Sequence, residues 1–275
     1  MMFTTALFLR TMRFILFAPV LSLSLLIGSG VLRPGWAGTG PILLSQATTV
    51  PAELQTLVQG LDTAASAGQL DQVLAFFADD FSGSDGLSRD ILEQSLSQLW
   101  ETYNQLTYRT TIDRWQRLGN GWEVEVTTKI SGTGSSGDRP LALEATLRAK
   151  QTMVDGKITG QEILGEQTRV STGTAPPTIE FSLPEQVRPG QEYHLDAIVQ
   201  EPIGDSILLG SASEEAITPE SYLNPSPLRL ELLNAGGIFK IGRAPSQPGN
   251  RWVSVALIRD TGMVFITQRL RVATP

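Results

Sequence analysis

The order of patterns between Pro51 and Val170 constrains this chain most. Three short segments of helical periodicity come first, then strands that alternate apolar and polar residues with few breaks. Leu54, Leu57, Val58 and Leu61 recur at i, i+3, i+4 and i+7 behind Pro51, which suits a helix's first turn, and Gly68 is a stop signal. Leu70, Val73, Leu74 and Phe77 repeat the spacing as far as Asp79-Asp80. Ser88 can cap a third helix, with Leu87 and Leu92 as its hydrophobic staple and Leu92, Leu96, Leu99 and Tyr103 as its inward stripe. Helices followed by strands predict a curved antiparallel sheet wrapped around helices, a shape that encloses a pocket.

The strands are well marked. Leu106, Tyr108, Thr110 and Ile112 share one face, and Trp122, Val124, Val126, Thr128 and Ile130 alternate with Glu123, Glu125, Thr127 and Lys129. Leu141 to Ala149 repeats that alternation, and Asp155-Gly156 is a hairpin turn leading into Ile158–Val170, where Gly160 and Gly165 suggest bulges. Ser171 to Pro177, small polar residues ending in a double proline, predict a linker over 171–177. Beyond it, residues 178–273 offer about seven strand-like runs separated by turn signals, and no helical pattern of any length. That predicts an antiparallel β-sandwich of immunoglobulin-like architecture without the paired cysteines. The whole reads as α+β, a domain over 51–170 followed by an all-β domain over 178–273.

The N-terminus carries Arg10 and Arg13 before an apolar run from Phe14 to Ile27, the layout of an export signal. Small residues allow cleavage after Ala37, giving a signal over 1–37, or as late as Ala47; left uncut, the segment would anchor the chain in a membrane. The location expected is the periplasm, a lumen or the extracellular space. Removing the three arginines of residues 1–47 from 21 basic residues leaves 18 against 28 acidic ones, a balance that disfavours nucleic acid as a partner. The chain has no cysteine, so disulfides, thiol catalysis and cysteine metal sites are excluded.

The segment Leu74-Ala75-Phe76-Phe77-Ala78-Asp79-Asp80-Phe81, with the helices-then-strands order, resembles the nuclear transport factor 2-like superfamily over about 120 residues. The resemblance implies a cone-shaped α+β fold. It also implies a range of roles, from ketosteroid isomerase-like enzymes, dehydratases and cyclases to non-catalytic binding domains. The histidine of the dehydratases is absent from 51–170.

Phe76, Phe77, Trp100, Tyr103, Tyr108 and Trp122 could line an apolar pocket with a few polar donors. Stripes at such spacings more often serve a plain core. Asp79 and Asp80 are the carboxylates an enzyme would use, although adjacent residues more often point apart. Gly132-Thr133-Gly134-Ser135-Ser136-Gly137 matches a dinucleotide fingerprint in letters only, because a strand and not a helix follows; it reads as a flexible hairpin loop. His194, the single histidine, falls on the outer face of its strand with Asp196. The arginines from Arg229 to Arg271 could form a basic stripe, and Ala212–Pro227 reads as a long loop suited to a partner contact. No metal or cofactor is implied. The expectation is an exported binding or assembly protein that takes a small apolar ligand or a protein partner. The alternatives are an isomerase- or cyclase-like enzyme with a buried carboxylate and tyrosine, and a structural subunit that forms a homodimer.

Overall fold

The computed structural model describes residues 49–202, 204 and 206–273. The export signal expected over 1–37, with its later cleavage point at Ala47, lies outside the described residues. Among the described residues the chain is mostly β-sheet with few helices. The three expected helices form as α1 (Ala52–Ser66), α2 (Leu70–Leu74) and α3 (Arg89–Thr102). However, α2 stops at Leu74, and Phe77 to Asp80, expected to continue it, belong to the strand β1 (Phe77–Gly83) that pairs with residues 158–161. Ser88 caps α3 by accepting the Ile91 N–H at 3.3 Å. Long strands follow: β2 (Gln105–Leu118), β3 (Gly121–Ser136), β4 (Arg139–Val154) and β5 (Lys157–Gly173). Each pairs antiparallel with the next.

The expected linker is not where the two halves part. Residues 171–173 continue β5, and Gly173 pairs with Gly262 of β13 (Gly262–Val272). The C-terminal strands β9 (Leu209–Ala216), β12 (Gly249–Arg259) and β13 therefore extend the first sheet. With the two-residue β10 (Glu231–Leu232), the order is β10-β9-β12-β13-β5-β4-β3-β2. β6 (Ile179–Ser182), β8 (Glu192–Val199) and β11 (Gly237–Arg243) form a separate three-stranded sheet, and the two-residue β7 (Gln186–Val187) pairs in parallel with β13. The expected independent sandwich is thus replaced by one long sheet with a smaller sheet against part of it.

Two cores follow from this. Helices α1 to α3 cover the inner face of β2–β5, burying Leu54, Leu61, Leu92, Leu96, Leu99, Val124 and Val126. The same core continues through Met263, Phe265, Ala256 and Trp252 on β12 and β13. The opposite face of those two strands, Val253, Val255, Leu257, Val264, Ile266 and Leu270, packs on Tyr193, Leu195, Ala197 and Ile238 of the small sheet. Covered on both sides, β12 and β13 are apolar almost continuously.

Two local readings change. The segment expected as a long loop, Ala212–Pro227, contains the end of β9 and a short helix α4 (Pro219–Leu223). Thr218 and Ser221 close a capping box there, with Pro219 at the first turn. The supposed hairpin loop at Gly132 is strand: β3 runs to Ser136, and only a tight turn at Gly137 (φ +58°) separates it from β4. Gly132 and Gly134 are glycine because a Cβ would strike the carbonyl oxygens of Gln105 and Thr102.

Candidate functional site

The six aromatic residues expected to line a pocket separate into two groups. Phe77, Tyr103 and Tyr108 are core residues, with Phe77 edge-on to Phe81 at 5.0 Å. Trp100 donates its indole N–H to the Tyr108 hydroxyl at 2.8 Å. The Tyr103 hydroxyl is buried without a partner, and burial pushes both phenols above their ordinary range. The half-buried Phe76 places its ring against Gly60. Trp122 stands apart, at a pocket of about 310 Å3 with Leu54, Leu57 and Met153. Its ring meets Trp115 edge-on at 5.4 Å and carries the Arg117 guanidinium at 4.3 Å, while its N–H donates to Glu53. Asp79 and Asp80 are both exposed, in the stretch of β1 where the register with β5 shifts. That leaves the inner wall without either carboxylate.

A carboxylate that the patterns did not single out does reach the interior. Asp62 stands on the buried face of α1, and its carboxyl accepts the Thr110 N–H. Ser66, four residues on, accepts the Tyr108 N–H at 3.0 Å. Four helical residues rise about 6 Å and two strand residues about 6.7 Å, so one turn of helix matches two outward N–H groups of the edge strand β2. Unpaired edges invite further strand pairing, and this helix closes one. Burial pushes the Asp62 carboxyl up to about 8, against the pull of the Thr110 N–H and of Arg109. Its Oδ1 is buried without a partner.

The most polar part of the interior lies where the sheet forks. The first half of β5 has β1 as its outer neighbour, and the second half has β13. At the switch a β-bulge leaves Leu164 unpaired, and the ladder between β13 and β5 ends at Gln268–Gln167. Arg269 fills the gap. Its side chain is 0 % exposed, with Nη1 on Asp85 Oδ2 at 2.6 Å and Nη2 on Glu166 Oε2 at 3.1 Å. Trp252 donates its indole N–H to the same Glu166 oxygen at 3.1 Å. Asn250 donates to Asp85 Oδ1 at 2.8 Å. Asp85 itself adopts the left-handed conformation (φ +60°), which aspartate tolerates better than most residues. Burial draws the Glu166 carboxyl upward, opposed by Arg269 and the Trp252 N–H. Burial also disfavours the Arg269 charge, but Glu166, Tyr222 and Asp85 outweigh it and hold the guanidinium protonated. Buried and charge-paired, this cluster fastens residues far apart in the chain, although Arg269 Nη2 and the Tyr222 hydroxyl are buried there without a hydrogen-bond partner.

Part of the expected basic stripe is paired off in the same way. Arg271 bonds Glu162 at 2.9 Å, Arg243 bonds Glu192 at 2.8 Å, and Arg251 pairs with Glu214. His194 is exposed on the outer face of β8.

The open, apolar part of the surface is elsewhere. Where the β3–β4 and β12–β13 hairpins end side by side, a groove of about 1160 Å3 is lined by Pro140, Leu209, Leu228, Leu230, Ile258 and Met263. Arg139, Arg229, Arg259, Asp138 and Asp260 stand at its rim. An apolar concavity with a few charged groups at its edge is the kind of surface that holds a small molecule.

Residues 174–273 match a family described as a domain of unknown function (DUF8623). No curated protein matches the chain. Among solved structures, a candidate scytalone dehydratase from Novosphingobium aromaticivorans is similar at 13 % identity and a TM-score of 0.35, over 40 % of this chain and 80 % of that one. An LEH-like epoxide hydrolase from Mycobacterium tuberculosis is 18 % identical, with a TM-score of 0.29 over 40 % of this chain and 80 % of the other. A protein of ketosteroid isomerase-like fold from Catenulispora acidiphila, solved with trimethylamine, is 15 % identical, with a TM-score of 0.28 over 39 % of this chain and 82 % of its own.

Proposed function

We propose that this is an exported, non-catalytic binding protein that holds a small apolar ligand in the groove at the hairpin ends. The groove carries the reading: it is a large apolar concavity among the described residues, and it spans residues from both halves of the chain. The interior between helices and sheet supports it by exclusion, because Phe77, Tyr103 and Tyr108 are packed there as core. Export rests on Arg10, Arg13 and the apolar run behind them. The α+β arrangement of 51–170 is read as a nuclear transport factor 2-like unit, from its element order and the Leu74–Phe81 segment. The small sheet with β9, β12 and β13 is read as a sandwich that shares strands with it.

The test is titration of the mature protein with lauric acid and with a neutral long-chain alcohol. Met263→Glu sets a carboxylate in the groove, and the expected loss of affinity is about tenfold or more. Saturable binding that is indifferent to Met263→Glu would move the site elsewhere, and no binding with no ligand retained on isolation would sink the reading. N-terminal sequencing of the protein from its source tests export: a start at Gly38 or Thr48 supports it, and a start at Met1 contradicts it.

One observation favours a second reading, an isomerase- or cyclase-like enzyme. Asp62 is a buried carboxyl held near neutrality, the property a general acid or base needs. Turnover lost in Asp62→Asn with folding intact would establish that role.

A further inference from the structure

β11 is the outermost strand of the small sheet, paired on one side with β8. The register settles which of its backbone groups are spent. The Val199 N–H bonds the Gly236 carbonyl and the Ala244 N–H bonds the Gln191 carbonyl, at either end of the ladder. Hydrogen-bonded pairs alternate along antiparallel strands, so the even-numbered residues of β11 bond β8. The N–H and C=O groups of Phe239 and Ile241 therefore point away from β8, to the open side. Their side chains also lie bare, 57 % and 68 % exposed, on the outer face of the sheet.

Lys240, between them, stands on the opposite face, opposite Leu195, and lines a groove of about 550 Å3 between β11 and β9. Arg229 lines the same groove. Among the described residues neither cation has an ion-pair partner, whereas Arg243, Arg251, Arg269 and Arg271 all do. A free strand edge, two bare apolar side chains on one face and an unpaired cation on the other make one recognition surface.

We propose that β11 is a docking edge for an extended segment of a partner protein with the pattern apolar–acidic–apolar. The segment adds as a further strand: its backbone bonds Phe239 and Ile241, its apolar residues cover their side chains, and its carboxylate meets Lys240 in the groove. A second copy of this chain fits less well. The antiparallel register that sets Phe239 beside the copy's Ile241 also sets Lys240 directly opposite its own copy, and like charges so placed repel. An inward-facing lysine is a known guard of edge strands against self-pairing.

The experiment uses the purified mature protein, labelled with nitrogen-15, and the acetylated peptide Ser-Thr-Val-Glu-Val-Thr-Ser. Saturable shifts and slowed exchange at the Phe239 and Ile241 amides are expected. The peptide with lysine in place of glutamate should bind about tenfold more weakly, and Lys240→Glu should reverse that preference. Ile241→Pro removes only an outward N–H, so it should abolish binding while the thermal melt stays cooperative. Should that variant not fold, the Lys240→Glu reversal still decides. Absence of saturable shifts, equal binding of both peptides, or shifts centred on the hairpin-end groove would overturn the proposal. A concentration-dependent dimer that Ile241→Pro dissolves would overturn it in favour of self-association.

Discussion

Strands β3 and β4 on one side of the long sheet and β12 and β13 on the other obey different rules. In β4 exposed or half-buried residues alternate with buried ones, because helices cover one face and water the other. In β13 eight successive residues from Met263 to Leu270 are buried, because core packs on both faces. One sheet thus holds a half-wet region and a dry one, and the polar groups caught in the dry region must find partners inside the protein. Arg269 is where that requirement is heaviest, and Asp85, Glu166, Trp252 and Asn250 answer it.

The contrast can be broken by substitution, read as urea-denaturation midpoints of the purified protein. The largest losses are expected from Arg269→Met, which strands two buried carboxylates, and from Phe265→Ala; each should cost about 3–5 kcal/mol. Ile266→Ala, next to Phe265 but facing the other core, should still cost about 2–4 kcal/mol. If Ile266→Ala proves harmless while Phe265→Ala does not, the small sheet does not cover β13 in solution. Trp252→Phe keeps the ring and deletes the donor to Glu166, for about 1–3 kcal/mol. Asp62→Asn should change a slope. The folded Asp62 carboxyl titrates near 8 against an ordinary value of 3.8, so folding favours its neutral form. Its contribution is complete below the ordinary value and is lost as pH rises through about 8. The variant should flatten the stability profile between those limits, and an unchanged profile would show that Asp62 is ionised throughout. The smallest effect belongs to the wet region: Lys129→Ala on β3 should stay within about 0.5 kcal/mol, whereas its neighbour Ile130→Ala should cost about as much as Ile266→Ala.

The same contrast marks what could be read before folding. Residues 51–170 were legible because one wet face imprints a period: Leu54, Leu57, Val58 and Leu61 for α1, and Val124, Val126, Thr128 and Ile130 for β3. Trp252 to Ile258 and Met263 to Ile266 carried the opposite message, near-continuous apolar strands buried on both sides, and the strands were recognised while their central place was not. Nothing local in Ser171-Thr172-Gly173 reveals that β5 runs through it, since its partner Gly262 is remote in sequence. The helix α4 was read as loop, because it is five residues long and too short for a helical period to show. Of the candidate aromatics, Phe77, Tyr103 and Tyr108 take the plain-core place that stripes at their spacing more often take. Asp62 was hidden because its role depends on the edge of β2, and the hairpin-end groove because its walls come from distant segments.

The position of β13 also sets a schedule. The strand lies between β12 and β5, about 90 residues beyond its partner in β5, so the middle of the sheet is assembled from the part of the chain delivered last. A chain threaded N-terminus first through a translocation channel would present β5 with an open flank until that strand arrived. Long-range closure of this kind is slow, and the waiting edge is exposed to neighbours meanwhile. Closure of the long sheet therefore waits for residues about 90 positions beyond β5, and the change in Trp252 fluorescence on refolding should report the arrival of β13.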